Sequence, residues 1–320
     1  MKVKFLILFF LISYNQILLS QTCCSGGVPL SNNIGLPFLE KGASQIGVFY
    51  DYNNLNTLNE GERKLNDNSR KRITNSILLN FSYNFTDRFL VEGLLSWVNQ
   101  QREISQSGNV NFEETKGFGD GVFLFRYLFL NQQKQSLSFG LGGKIPIGST
   151  KEVNKQGILL NADLQPGSNA FDFIFTSTYS TSLQFRKSMS FILRSTYRNT
   201  GVNSEYLGVT EYEFGDEFQG FIGVSDRFLV GKELVDVSLL FKYRNATSDK
   251  LNNNIVANTG GNWVFFNPSV SFQILPSVNF STRIDVPIYS KVTGLQLTPT
   301  FRINTGFSIQ ILRQKEIKVF

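Results

Sequence analysis

The chain has 320 residues, with 31 Lys and Arg against 25 Asp and Glu and a formal net charge of +6, an excess too small to favour a nucleic-acid-binding protein. Histidine is absent, which excludes a Ser-His-Asp triad, an Asp-His protease pair and the usual His-based metal sites. The mean hydropathy of -0.10 argues against a membrane-spanning helix, whereas the 31 Phe and 11 Tyr favour strands and bilayer interfaces.

Residues 1–20 have the features of a secretory signal peptide. Lys2 and Lys4 precede an apolar stretch from Phe5 to Ser13, which is too short to span a membrane. We therefore expect export and cleavage after Ser20, which removes the two lysines and lowers the formal charge to +4. Residues 21–42 are assigned to a periplasmic N-terminal segment, and the sequence leaves open whether this segment plugs a pore.

Apolar and polar residues alternate repeatedly along residues 43–320, which we assign to one domain. In the last such stretch, the apolar Phe301 and Ile303 alternate with the polar Arg302 and Asn304. A period of two predicts a strand with one apolar face. The predicted strands cover residues 43–53, 71–85, 88–100, 117–130, 135–147, 169–181, 186–198, 213–226, 234–245, 262–275, 278–289 and 294–312.

Long and short connections alternate between these strands. The long ones are 54–70, 101–116, 148–168, 199–212 and 246–261. Such alternation, with an even number of strands, is typical of outer-membrane barrels, whose apolar faces contact lipid and whose polar faces line a wet lumen. The predicted fold is all-β, a single antiparallel up-and-down transmembrane β-barrel of about 12 strands. A soluble β-sandwich is the alternative.

Six sequence motifs resemble the landmarks of a known family. They are KGFGDGVFLFRY (116–127), FGLGGKIPIG (139–148), LQPGSNAFDF (164–173), EFGDEFQGF (213–221), GGNWVFFNP (260–268) and DVPIYSKVTGLQL (285–297). Over about residues 117–312, the chain is similar to outer-membrane barrels of the MetA-pathway phenol-degradation family, often labelled transporters. Leu295 departs from the family's usual Gly-Thr-Gln-Leu ending. The resemblance implies an outer-membrane channel, with aromatic or other small hydrophobic compounds as candidate solutes.

The absence of histidine also bears on catalysis. Phospholipases, omptin-like proteases and lipid A acylation enzymes of outer membranes resemble each other in needing His, so these activities are excluded. An enzyme using only carboxylates would need two acids at one depth in a cleft. The inward carboxylates match basic partners better than each other, so we expect neither an enzyme nor a cofactor.

Charged residues recur on the polar faces that a barrel would turn inward. Counting from the periplasmic turns pairs Glu92 with Arg126, Lys144 with Asp172, Glu217 with Arg194 and Lys242, and Asp285 with Arg302. Such pairs either set pore selectivity or brace the lumen, and for Glu92 and Arg126 bracing is favoured. The lumen and selectivity candidates are Lys144, Asp172, Arg194, Arg198, Glu217, Lys242, Arg244, Arg283, Asp285 and Arg302. Their basic surplus predicts a preference for anions.

The only cysteines, Cys23 and Cys24, are adjacent near the start of the expected mature chain. They could bind a soft metal ion, form a vicinal disulfide or, at Cys23, carry a lipid. A disulfide or an inert pair is favoured because export leads to an oxidising compartment and the sequence supplies no third metal ligand.

The expected function is passive uptake or efflux of small solutes through the outer membrane of a Gram-negative cell. The alternative is a structural or surface-interaction barrel with a closed lumen. Expected partners are outer-membrane lipid, lipopolysaccharide, a small-molecule solute and the barrel assembly machinery, but no nucleic acid. Residues 304–311 resemble the last-strand signal that this machinery reads, and the chain ends in Phe320.

Overall fold

The computed structural model describes residues 34–106 and 108–312. The expected signal peptide, Cys23, Cys24 and Phe320 therefore lie outside the described residues. Within the described ranges, the structure contains no helix of the length and hydropathy needed to cross a bilayer. One short 3₁₀ helix, η1, covers Ala162–Leu164.

Strands make up most of the described chain. They are β1 Ser44–Leu55, β2 Thr57–Glu60, β3 Arg63–Lys64, β4 Arg70–Thr86, β5 Phe89–Gln106, β6 Asn109–Phe118, β7 Gly121–Asn131, β8 Gln135–Ile145, β9 Asp172–Leu183, β10 Arg186–Asn199, β11 Val202–Tyr206, β12 Thr210–Glu213, β13 Glu217–Val230, β14 Glu233–Ala246, β15 Lys250–Leu251, β16 Asn254–Ile255, β17 Gly261–Leu275, β18 Val278–Val292, β19 Leu295–Thr298 and β20 Phe301–Ile311.

The main sheet closes on itself. Its order is β4-β1-β20-β18-β17-β14-β13-β10-β9-β8-β7-β5, all pairs are antiparallel, and β5 returns to β4 along almost its whole length. β7 pairs with the first part of β5, Phe89–Leu94, and β6 pairs with the second part, Trp97–Gln106. These two strands therefore occupy one position in the wall. The result is a closed barrel of twelve strand positions, which confirms the predicted fold class.

The two faces of the wall differ as the alternation predicted. On β4, Ile77 and Leu79 are exposed on the outside, whereas Leu78 and Asn80 between them are buried on the inside. A closed barrel leaves no unpaired strand edge in the hydrocarbon layer, so the exposed apolar side chains of the outer face can contact lipid. The interior receives buried polar and charged residues together with some apolar side chains such as Leu78.

Two predicted strands are interrupted in the structure. The predicted strand at 117–130 becomes β6 and β7, which separate at Gly119 and Asp120. The predicted strand at 294–312 becomes β19, which leaves the barrel to pair with β2, and β20, which begins at Phe301. Pro299 lies at this second break, where its missing N–H removes a ladder hydrogen bond.

Several predicted long loops contain strands of their own. The connection predicted at 101–116 is instead an extension of β5 and β6, which pair out to Gln106 and Asn109. β11, β12, β15 and β16 form a separate sheet, and β19, β2 and β3 form another. Both small sheets lie at the extracellular end, because the short turns between the barrel strands lie at the opposite end.

The outward face can be tested with one charge. Leu141 lies near the middle of β8 and is 53% exposed on the outer face, so Leu141→Lys should lower the free energy of unfolding by about 2 to 4 kcal/mol. Ser281→Lys on the inner face should change it by less than about 1 kcal/mol, because a polar lumen accepts the charge. Urea unfolding in liposomes measures both, and equal losses would contradict a lipid-facing outer wall.

Candidate functional site

The lumen wall carries a connected series of ion pairs. Lys144 on β8 is almost fully buried, with its Nζ 2.8 Å from Asp120 Oδ2 and 3.3 Å from Asp172 Oδ2. It also donates to the carbonyl oxygen of Ala170 at 2.9 Å and to the Ser168 hydroxyl. These four acceptors compensate a charge that would otherwise be costly to bury.

The series continues across β9, β10, β13 and β14. Arg198 Nε lies 3.8 Å from Asp172 Oδ2, and Arg198 Nη2 lies 3.5 Å from Glu217 Oε2. Arg244 Nη2 donates to the same Glu217 oxygen at 3.0 Å, and its guanidinium lies 4.8 Å from the ring centre of Trp263. Acids and bases therefore alternate from strand to strand around this part of the wall.

Two further pairs follow along the wall between β14 and β1. Lys242 Nζ donates to Asp285 Oδ2 at 3.0 Å, and Arg302 Nε donates to Asp51 Oδ1 at 2.9 Å. Asn304 also donates to Asp51, at 3.1 Å. Asp51 and Asp120 are lumen acids that the sequence analysis missed, although the inward parity of Asp51 on β1 could have revealed it.

The predicted pairings can now be compared with the structure. The pairs Lys144 with Asp172 and Glu92 with Arg126 are confirmed, each at 3.3 Å. Glu217 forms its ion pairs with Arg198 and Arg244, so its predicted pairing with Arg194 and Lys242 is wrong.

The remaining predicted sites differ in their surroundings. Asp285 lies opposite Arg302 in register, as predicted, but its closest ion pair is with Lys242. Arg283 lies near enough to Asp285 for electrostatic attraction. Arg194 lies 5.9 Å from the ring centre of Phe221 and forms no ion pair with another described residue. The predicted basic surplus is therefore smaller than the sequence analysis counted, because Asp51 and Asp120 also face these cations.

Part of the N-terminal segment lies inside the barrel. We call residues 34–42 the plug. Ile34 at its inner end is 4% exposed and packs among inward-facing apolar side chains of the wall. These are Phe49, Leu78, Leu94, Val122, Leu124 and Ile174. The sequence left open whether residues 21–42 plug a pore, and in the structure Ile34, at the inner end of the plug, lies in the lumen.

Glu92 and Arg126 hold the plug by its backbone. Glu92 Oε1 accepts hydrogen bonds from the Gly35 N–H at 2.7 Å and the Leu36 N–H at 3.3 Å. Arg126 Nη1 donates to the Leu36 carbonyl oxygen at 2.5 Å, and the Arg126 guanidinium lies 5.0 Å from the ring centre of Phe38. The pair thus binds a chain segment, whereas the sequence analysis expected it only to brace the wall.

A second segment enters the lumen from the extracellular end. We call residues 146–171, which include η1, the inward loop. Arg72 Nη1 on β4 donates to Asp163 Oδ2 at 2.8 Å, and both side chains are buried. Gln100 Nε2 and Thr115 Oγ1 donate to the Leu164 carbonyl oxygen at 3.1 and 2.5 Å. These contacts fix η1 against inward-facing residues of β4, β5 and β6.

The small extracellular sheet formed by β11, β12, β15 and β16 packs on the inward loop. Tyr212 on β12 is buried against Ala162 of η1, and its hydroxyl donates to Asp249 Oδ2 at 2.6 Å. Burial raises the pKa of Tyr212 above its ordinary value, and the Asp249 carboxylate raises it further. Burial also raises the pKa of Asp249, although the hydrogen bonds from Tyr212 and the Gly215 N–H oppose this. Apolar packing and one strong hydrogen bond thus hold this cap.

Metal chemistry has little support in the described chain. The residues in 34–106 and 108–312 contain no group of three or more His, Cys, Asp or Glu side chains arranged to hold a metal ion. The weak metal candidates Cys23 and Cys24 lie outside these ranges.

A closed antiparallel barrel with an apolar outer face and a charged lumen defines a transmembrane β-barrel protein. The chain belongs to the family described as "Putative MetA-pathway of phenol degradation", whose model matches residues 71–303. This membership confirms the resemblance found in the sequence motifs. None of the curated proteins matches this sequence.

Solved structures share this fold. One is the crystal structure of an outer membrane channel from Pseudomonas putida F1, which is 14% identical over 89% of this chain and 100% of that chain, with a TM-score of 0.67. The chain also matches the beta domain of the Bordetella autotransporter BrkA, 9% identical over 85% and 100% of the two chains, but the TM-score of 0.49 is too low to show a shared fold. At 14% identity, the likeness to the Pseudomonas channel concerns the fold alone.

We call Glu92 and Arg126 the plug clamp, because they hold the plug by its backbone. Removing one of these two residues should loosen the plug. Glu92→Ala leaves the Arg126 charge without its carboxylate and removes the acceptor of the Gly35 N–H, at an expected cost of about 3 kcal/mol. Amide hydrogen exchange at Gly35 and Leu36 should therefore accelerate by about 100-fold.

Glu103→Ala is the matched control. It removes a carboxylate from an exposed pair with Lys71 at 3.5 Å and should leave exchange in the plug unchanged. Equal exchange in Glu92→Ala and the unaltered protein would show that the clamp does not hold the plug.

Proposed function

We propose that this protein is an outer-membrane channel through which small solutes, including aromatic or hydrophobic compounds, cross passively. What carries the proposal is the way the lumen is filled. Side chains alone fill a barrel of about eight strands, but a larger barrel encloses more space. In this twelve-position barrel, the plug and the inward loop occupy that space, and neither belongs to the wall.

The attachments of both segments are consistent with reversible opening. Hydrogen bonds to Glu92, Arg126 and Gln100 hold backbone groups that water could bind in their place. The wall does not need to break for a path to form. Family membership supports the same function, and the solved Pseudomonas relative of this fold is described as an outer membrane channel.

A structural or surface-interaction barrel with a permanently closed lumen is the second candidate. The observation that favours it is the apolar cap in which Tyr212 and Phe214 pack on Ala162 of the inward loop. The two candidates differ in whether current can pass.

Deleting the plug distinguishes these functions. A mature chain that lacks residues 21–40 should show at least twofold higher single-channel conductance in a planar bilayer than the full mature chain, because the inner lumen then contains only the wall and the inward loop. Heat-modifiable migration on gels checks that the barrel still forms. Absence of current in both proteins would favour the closed barrel.

We infer that an open channel prefers anions weakly, with Arg194 as the main contributor. Lys242, Arg198 and Arg302 each lie within 4 Å of a carboxylate, which reduces their field along the path, whereas Arg194 has no described carboxylate within 4 Å and is attracted by Glu92 at longer range.

Neutralising Arg194 and Lys242 together should move the reversal potential in a salt gradient towards cation preference. The shift should be larger at low ionic strength, where screening is weaker. Lys71→Gln, which removes an exposed charge from the outer extension of β4, should leave the reversal potential unchanged. An unchanged reversal potential in the double variant would mean that Arg194 and Lys242 only stabilise the wall.

A further inference from the structure

A cavity lies between the plug and the wall. Its volume is about 480 Å³, within the range of small-molecule sites. Residues 35–40 form one side, and side chains of β7, β8 and β9 form the other. One end of the cavity lies at Asp87, in the short turn between β4 and β5. Because these short turns lie at the periplasmic end of the barrel, the cavity opens towards the periplasm.

The walls of the cavity differ in chemistry. Leu36, Pro37 and Phe38 present apolar surface from the plug, and Leu128 adds more from β7. The opposite wall presents hydroxyl groups, which are those of Ser136, Ser138 and Thr178. A ligand that fills this space needs an apolar body and a group that forms hydrogen bonds on one side.

Two of these hydroxyl groups are available to a ligand. Ser138 faces Thr178 directly across the β8–β9 pair, and its oxygen accepts a hydrogen bond from Arg126 Nη2 at 3.3 Å. Within residues 34–106 and 108–312, the hydroxyls of Ser136 and Thr178 form no side-chain hydrogen bond. Both can therefore donate to or accept from a molecule in the cavity.

The charged side chains that line the cavity disfavour an ion of either sign. Glu40 and Asp87 lie at the periplasmic end, where they repel an approaching anion. Arg126 lies at the inner end, where it repels a cation. Its guanidinium is already used by Glu92, the Leu36 carbonyl and Ser138, so it offers little to an incoming carboxylate.

We propose that this cavity binds an uncharged small amphiphile, with its apolar body against Leu36, Pro37 and Phe38 and its hydroxyl group against Ser136 and Thr178. The plug forms half of the site, so the site exists only while the plug is in place. Such a ligand stabilises the plugged state, because it binds that state alone. The proposal does not rest on conduction, since the site is complete in the closed protein.

Three probes of nearly equal shape test the class of ligand. Benzyl alcohol is neutral at pH 7, benzoate is an anion and benzylammonium is a cation. Saturation-transfer NMR with the mature protein in nanodiscs should give binding of benzyl alcohol in the millimolar range or tighter, with both ions at least tenfold weaker. Stronger binding of benzoate would overturn the uncharged class, and absence of binding would overturn the site.

Two variants separate the cavity from partition into lipid. The double variant Ser136→Ala with Thr178→Val removes both available hydroxyls and should weaken the binding of benzyl alcohol by about five- to tenfold. Ser177→Ala is the control, because Ser177 lies next to Thr178 but on the outer face of the wall. Equal binding by the double variant and the control would show that the probe is held elsewhere.

Hydrogen exchange tests the link to the plug. At benzyl alcohol concentrations ten times the dissociation constant, opening of the plug should become about elevenfold rarer, and exchange at Gly35 and Leu36 should slow by the same factor. Unchanged exchange despite measurable binding would overturn the location beside the plug. Each of these results can be obtained whether or not the barrel passes current.

Discussion

Closure of the main sheet is the constraint on which the other features depend. In the hydrocarbon layer, each unpaired backbone group costs several kcal/mol, so a sheet can cross only if its first and last strands meet. Here the first barrel strand, β1, pairs with the last, β20, over the eleven residues from Ser44 to Asn54. Closure fixes which side of each strand faces lipid, so that Leu141 points outward and Lys144, three residues later, points inward. The charges are therefore concentrated in the lumen.

A lumen that contains chain segments as well as charges cannot leave those charges fully hydrated. The structure compensates them across neighbouring strands, where Asp172 lies between Lys144 and Arg198, and Glu217 lies between Arg198 and Arg244. Removing one member of such a pair costs more than the pair contributes, because the other charge stays buried. The same chemistry attaches the plug and the inward loop, since Glu92, Arg126 and Arg72 each bind a backbone group of one of these segments.

The sequence was sufficient for the fold but only for part of the lumen. All twelve predicted strands are present, because a two-residue period is a local property. The pair of Lys144 and Asp172 was predictable because these residues lie directly opposite on adjacent strands. The pairing of Glu217 with Arg194 failed because the register between β10 and β13 sets Arg198 opposite Glu217 and Arg194 opposite Phe221, a stagger that counting residues from the turns does not reveal.

Other features of the lumen had no local signal. Asp120 lies at the break between β6 and β7, where no alternation indicates its direction. Residues 34–42 contain no periodic pattern, and their position depends on hydrogen bonds to Glu92, more than fifty residues later. The function of Glu92 and Arg126 as a clamp therefore became visible only with the three-dimensional structure. Distant contacts of this kind define both the plug and the cavity beside it.

The energetics indicate where such a barrel can open. Burial of Ile34 contributes about 1.5 to 3 kcal/mol, and each hydrogen bond that holds the plug contributes about 0.5 to 1.5 kcal/mol more, because water replaces it on release. The plug is thus held by several kcal/mol, which is compatible with rare release at ordinary temperature. Opening the wall between β4 and β5 would instead expose a whole row of backbone groups to lipid, where no water replaces the lost bonds. Movement of the plug and the inward loop therefore costs less free energy than opening of the wall.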